Sequence, residues 1–311
     1  MTRPTPSDTP PTPVSTPTDT GPTPMATSRH AGVERDASAP GDMPPDITVD
    51  AFLGGRVEAV QPARGHHRAG LEAVLLAASL DGRISGTVVD LGAGVGVAGF
   101  CAAARCRRAR IVLVERDAEA VACARAGLAR PANQSFADRV RIVAADIAAP
   151  EAERVEAGMG RDLADHVLLN PPFYAGASGT RSPARARADA HVLGAGGLDS
   201  WLRAAASVLK VRGGVTIVFP AAGLAELIAA VGRRFGALDL LPIHPRPDEP
   251  AHRILARAVK GRRASPRILP PLILHGAEGN AFTKPVEAML RDGRSLASAA
   301  RGWHRPRARS S

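Results

Sequence analysis

The chain has 311 residues, 45% of them hydrophobic and only 3% aromatic, with a formal net charge of +10. That length holds one α/β domain of ordinary size plus a tail, with a core built from Ala, Val, Leu and Ile. Three cysteines without CxxC spacing exclude a disulfide framework and a zinc site, and no apolar run reaches the roughly 20 residues of a membrane span. The start lacks the apolar segment of a secretory signal, so a cytoplasmic protein without a metal is expected. The positive balance fits a polyanionic partner such as RNA or DNA, although free use of Arg and Ala would produce it too.

Residues 1–45 are rich in Pro, Thr, Ser and Asp and hold too few large apolar side chains to offset chain entropy, so a disordered tail is expected. One folded domain is expected over 46–300 and a short basic tail, containing Trp303, over 301–311. Within the domain, residues 50–60 read as an extended hairpin turning at Gly54-Gly55. A helix follows over 71–80. The first central strand is 87–90, with a helix over 97–105. The second strand is 110–114, with a helix over 118–129. A third strand falls at 140–144 and a fourth at 167–169. A helix over 198–209 ends at Arg212-Gly213-Gly214. The fifth strand is 215–219, with a helix over 224–235. Two late strands, 238–243 and 253–259, flank a Pro-rich loop and read as an antiparallel hairpin at a sheet edge. This alternation predicts a doubly wound α/β fold with a mostly parallel sheet, whose ligands sit at the carboxyl ends of the strands.

The first strand ends in Asp90-Leu91-Gly92-Ala93-Gly94-Val95-Gly96. Gly92, Gly94 and Gly96 let the chain turn sharply and approach a ligand, and the following helix points its free amides into the turn. Asp90 can order that loop or bind a cationic amino group. Glu115, ending the second strand, can chelate both ribose hydroxyls of a nucleoside. Asp146, after the third strand, can accept from an exocyclic adenine amine. Gly94-x-Gly96-x-x-Gly99 also matches a dinucleotide fingerprint, so NAD stays open here. Asp90 favours a cofactor without phosphates, S-adenosylmethionine, because a diphosphate would lie close to that acid.

The fourth strand runs into Asn170-Pro171-Pro172-Phe173. An amine conjugated to an aromatic ring is a poor nucleophile, and a site assists it by accepting both of its hydrogens. The Asn170 carboxamide oxygen and the Pro171 carbonyl are two such acceptors, stiffened by Pro171 and Pro172. Phe173 offers an apolar face on which a planar base or amide can stack. The same four residues also read as an ordinary turn. Coupled to the upstream glycine turn, they point to methyl transfer onto nitrogen.

With these motifs the chain resembles the class I S-adenosylmethionine-dependent N-methyltransferases, and within them the bacterial tRNA1(Val) (adenine-37-N6)-methyltransferase family. The resemblance covers roughly residues 48–296. It includes Phe52-Leu53-Gly54-Gly55-Arg56-Val57, Gln61-Pro62, Gly65-His66-His67-Arg68-Ala69-Gly70, Val74-Leu75-Leu76-Ala77-Ala78, Leu198-Asp199-Ser200-Trp201-Leu202 and Met289-Leu290-Arg291-Asp292-Gly293. The chain departs from the pattern at His67, where Tyr is usual, and at Glu72, where Asp is usual. The resemblance implies a Rossmann-like seven-stranded sheet, S-adenosylmethionine as donor with Glu72 reaching its methionine end, and an adenine beside a tRNA anticodon as acceptor.

Arg181, Arg185 and Arg187 after the acceptor motif, and Arg257, Lys260, Arg262, Arg263 and Arg267 near the last strand, are candidate phosphate contacts or simply solvated side chains. His191 and His252 read as structural. A protein glutamine N5-methyltransferase, which uses the same four residues on an amide, is the alternative in the same chemistry; a DNA adenine methyltransferase fits less well for want of a target-recognition domain. A basic RNA-binding protein keeping the fold without catalysis is the alternative outside it. Oligomeric state is not legible.

Overall fold

The computed structural model describes residues 47–63, 70–172 and 197–303. Phe173, Arg181, Arg185, Arg187, His67 and His191 lie outside them. The described chain opens on a hairpin, β1 (Ile47–Phe52) and β2 (Val57–Pro62), which forms its own two-stranded sheet. Leu53, Gly54 and Gly55 all take positive φ at its turn, and a Cβ on Gly54 would stand 2.9 Å from the Arg291 carbonyl oxygen. Asn133 ties the hairpin down. It is fully buried, accepts from Glu58 N and donates to the carbonyls of Glu58 and Gly127, both at 2.7 Å.

The main sheet takes its strands from β3 (Ser85–Leu91), β4 (Arg108–Glu115), β5 (Val140–Ala144), β6 (Ala164–Leu169), β7 (Leu209–Pro220), β8 (Phe235–His244) and β9 (Arg253–Lys260). Two short strands, β10 (Arg267–Ile268) and β11 (Leu272–Ile273), pair with β8. The order is β10-β8-β9-β7-β6-β3-β4-β5, with β9 antiparallel to both neighbours. The expected Rossmann-like sheet of seven substantial strands with an antiparallel edge is therefore present, extended by two two-residue strands. The central β3 is buried from Thr87 to Leu91, as befits a parallel strand covered on both faces.

One apolar layer packs α1 (Leu71–Ala78), α2 (Val97–Arg105), α3 (Ala118–Leu128) and α7 (Lys284–Asp292) on one side of the sheet. The other holds α5 (Gly197–Val208) and α6 (Leu224–Gly232). A short helix, α4 (Glu151–Glu156), precedes β6. Close packing needs Gly99 in α2, because a Cβ there would lie 2.0 Å from Leu113 Cδ2 on β4.

Several boundaries differ from the sequence reading. Arg212-Gly213-Gly214, expected to end a helix, lies inside the twelve-residue β7, with Arg212 at φ 66° absorbing the local twist. The helix expected over 224–235 stops at Gly232, and Phe235 already belongs to β8. The tail expected from 301 does not begin there either. Trp303 is 1% exposed, donates from Nε1 to Ser79 O at 3.0 Å, and carries the Arg257 guanidinium 4.5 Å above its ring. Arg257 and Arg267, offered as phosphate contacts, both pair with the buried carboxylate of Asp239 at 2.7 Å.

Candidate active site

Parallel strands bring their carboxyl ends to one edge, and the expected site residues lie along it. Leu91 at the end of β3 is paired with Leu169 at the end of β6, so Asn170 leaves the sheet beside Gly92, about one strand spacing of 4.8 Å away. On the other flank, Val112 to Glu115 of β4 run against Arg141 to Ala144 of β5, which brings Glu115 and Asp146 to neighbouring ends. The glycine turn thus has Asn170 on one side and two carboxylates on the other.

Gly92, Gly94 and Gly96 have φ of 69°, 55° and 90°, the left-handed region that side chains resist. Each position has its own surroundings. A Cβ on Gly92 would strike the Trp201 ring at 2.3 Å, and one on Gly96 would meet Leu113 at 2.7 Å. A Cβ on Gly94 would meet nothing within 4 Å, so the chain there borders open space. Trp201 on α5 was read only as part of a resemblance. Its contact with Gly92 joins two elements far apart in sequence, which no local pattern reveals.

Asp90 is 2% exposed and accepts from Gly99 N at 2.9 Å. Burial pushes its carboxyl up to about 7, the Gly99 amide pulls it partly back, and the charge of Glu115 adds to the rise. Glu115 accepts from Gly94 N at 2.8 Å through one oxygen, and from Arg116 N and Asp117 N at 2.8 and 2.9 Å through the other. Asp146 accepts from Ala148 N at 2.8 Å and faces the Arg116 guanidinium at 3.4 Å. Ala144, Ala145, Asp146, Ala149 and the side chains of Glu153 and Arg154 line a cavity of about 200 Å³ next to this end of β5.

On the acceptor side, Asn170 is half-buried, Pro171 buried and Pro172 half-buried. Glu72 stands in the first turn of α1, where its Oε1 accepts from Arg253 Nε at 3.0 Å. His252, at the head of β9, is anchored through its backbone to Ile243 and Ala221, and burial and then Arg253 push its imidazole below the usual range.

The donor set suits a cofactor bearing hydroxyls, an amine and an ammonium group. Glu115 and Asp146 border a turn that meets open space, Asp90 lies buried behind it on the Gly99 amide, and the repulsion between Asp90 and Glu115 would oppose a diphosphate. Among the described residues no group of His, Cys, Asp and Glu could hold a metal ion, and no helix is long and apolar enough to cross a membrane.

Sheet order and glycine turn define a class I, Rossmann-like methyltransferase. Residues 66–221 match the family model of the methyltransferase small domain, and the chain belongs to that family. Its methyl donor is S-adenosylmethionine. The chain is similar to the tRNA1(Val) (adenine(37)-N6)-methyltransferase of Porphyromonas gingivalis, at 28% identity over 219 residues covering 68% of this chain and 83% of that protein. It is 31% identical over 151 residues to the protein of the same name from Shewanella amazonensis, covering 48% and 59%. A crystal structure from Agrobacterium tumefaciens, described as a predicted O-methyltransferase, superposes with a TM-score of 0.61 at 35% identity, covering 72% of this chain and 96% of that one.

Proposed function

We propose that the protein methylates the exocyclic N6 of an adenine in tRNA, with adenosine 37 of a valine tRNA as the favoured target. The observation that carries this reading is the pairing of Leu91 with Leu169, which sets Asn170 beside the glycine turn. An acceptor held at Asn170 is then adjacent to a methyl donor held at Gly92–Gly96. The names of the relatives and the net charge of +10 support an RNA as the carrier of that acceptor. A tRNA substrate places the work in the cytoplasm.

In this reading, S-adenosylmethionine supplies an electrophilic methyl group. Glu115 would accept from the ribose hydroxyls and Asp146 from the adenine amine of the cofactor, and Asp90, bonded to the Gly99 amide, would hold the loop or meet its amino group. The Asn170 carboxamide oxygen and the Pro171 carbonyl accept the two hydrogens of the target amine and turn its lone pair toward the donor. Phe173 stacks on the target base. As the N–C bond forms, the sulfonium–methyl bond would break, its electron pair staying on sulfur so that the donor leaves as S-adenosylhomocysteine, and the methylated nitrogen would release a proton to water, so no side-chain base is needed. Two acceptors at fixed separation suit an N–H pair better than a hydroxyl, which has one hydrogen to give.

The test uses purified protein, labelled S-adenosylmethionine and tRNA from a strain lacking the gene, followed by nucleoside mass spectrometry. N6-methyladenosine at position 37 of a valine tRNA is expected. Absence of any label in tRNA, with label appearing on a glutamine-containing protein substrate, would replace this reading by amide methylation.

A further inference from the structure

We infer that Glu72 works through Arg253 as a positioning residue on the acceptor side of the site, rather than as a ligand of the cofactor. The nature of the acceptor rests on the tRNA reading above; the assignment of Glu72 does not.

Three observations carry it. First, the Glu72 carboxylate is already engaged: Oε1 takes the Arg253 Nε hydrogen at 3.0 Å, and the two side chains are only 23% and 26% exposed. Removing one member of a pair so largely desolvated leaves the other charge poorly compensated, so the pair holds together. Second, Arg253 is placed by the sheet. It opens β9 opposite Pro220 at the end of β7 and Ile243 at the end of β8, and its Nη1 donates to His252 O at 3.1 Å. A guanidinium committed through Nε and Nη1 has a fixed plane. Third, the strand order runs β9-β7-β6-β3-β4-β5. The backbone of Arg253 therefore lies about 10 Å, two strand spacings, beyond the strand that precedes Asn170, and Glu72 reaches it from α1, which packs on β6 and β7. Asp90, Glu115 and Asp146 lie on the opposite flank of β6, at the ends of β3, β4 and β5.

Helix α1 is buried on nearly every face and packs against α2, α7 and the central strands β6 and β7. Its first turn is the part that reaches the carboxyl edge, and Glu72 is the side chain that ties this turn to β9. The tie links the first turn of α1 to the start of β9, opposite the end of β7. By this inference, losing it loosens the β7–β9 end of the carboxyl edge, on the Asn170 side of the site, and leaves the glycine turn alone.

The experiment compares Glu72→Gln, Arg253→Met and the double variant with the wild-type protein. Cofactor affinity is measured by calorimetry, and kcat and KM for tRNA by methyl transfer at saturating cofactor. Each single variant should lower kcat/KM for tRNA about tenfold through misplacement of the acceptor. The double variant should be no worse than either single, and cofactor Kd should stay within about twofold throughout. A tenfold loss of cofactor affinity in Glu72→Gln that Arg253→Met does not share would make Glu72 a cofactor ligand and overturn the inference. Unchanged kcat and KM in both singles, with only thermal stability lowered, would reduce the pair to a structural tie and overturn it equally. If the wild-type protein moves no methyl to tRNA, the substrate reading fails by itself; cofactor Kd in Glu72→Gln then still decides whether Glu72 is a cofactor ligand, and methyl transfer to a glutamine-containing protein substrate, compared across the same variants, decides its positioning role, a tenfold loss upholding it and unchanged kcat and KM refuting it.

Discussion

The Gly94 amide donates to Glu115 at 2.8 Å, so the end of β4 holds the middle of the turn that ends β3. The same carboxylate accepts from the amides of Arg116 and Asp117. One acid therefore fixes two loops, and its position relative to the glycine turn is built before any ligand arrives. Replacing Glu115 by Ala removes three charge-assisted hydrogen bonds together with the proposed acceptor for the ribose. Calorimetry should show cofactor affinity falling by at least about tenfold, the equivalent of one such bond.

Asn170→Ala removes one of the two proposed acceptors for the target amine and leaves the sheet edge intact. By analogy with loss of a preorganised dipole from a reaction centre, kcat should fall by about two to three orders of magnitude. Cofactor Kd and melting temperature should barely move. Turnover within a few-fold of wild type would remove the amine-orienting role.

The glycine turn offers a contrast between neighbours. Gly92→Ala places a Cβ 2.3 Å from the Trp201 ring at φ 69°, so stability should drop by about 2–4 kcal/mol in denaturant titration. Gly94→Ala has room for its methyl and costs only the left-handed backbone, about 1–2 kcal/mol. Its methyl projects into the open space beside the turn, so its larger effect should be on cofactor affinity.

Asp90 sets a pH dependence with an unusual sign. Its folded carboxyl stands near 7, above the ordinary 3.8. Between those values the folded state holds a proton that the unfolded chain has released, so its contribution to stability falls as pH rises from about 4 to 7. Above pH 7 the buried charge costs on the order of 4 kcal/mol, at 1.36 kcal/mol for each pKa unit. Asp90→Asn keeps an acceptor for the Gly99 amide and removes the charge. Thermal melts of the two proteins should coincide near pH 4 and diverge above pH 6, with the variant melting several degrees higher at pH 8. Parallel melting curves at every pH would contradict a raised Asp90.

Trp303→Ala should destabilise the domain by about 3–5 kcal/mol through loss of a buried indole, measured by denaturant titration. The Ser79 carbonyl loses its donor and the Arg257 guanidinium its aromatic face. A loss below 1 kcal/mol would return this residue to the solvated tail in which the sequence placed it.

The readable parts of this protein were those in which one short stretch carries its own constraint. Gly92, Gly94 and Gly96 were legible because three left-handed residues after an apolar run need glycine. Asn170-Pro171-Pro172 could be placed at a strand end from the sequence because an apolar run, Val167 to Leu169, leads straight into it. Strands β3 to β7 announced themselves as apolar runs, although the short helix α4 between β5 and β6 went unread. Helix α7 was missed although Pro285 at its start and Gly293 at φ 66° beyond its end are ordinary boundary signals.

By itself the chain determined the class of fold, the turn, the acid that ends β4 and the amide that ends β6, because backbone conformation and hydrophobic period are local properties. Tertiary structure decided which of these meet. Strand order made Asn170 a neighbour of Gly92, set Trp201 over the glycine that has no room for a side chain, and joined Glu72 to Arg253 across 181 residues. It also drew Trp303 into the core and raised the Asp90 carboxyl. Each depends on burial or on a partner supplied by distant chain, and both come into being only when the two apolar layers close over the sheet.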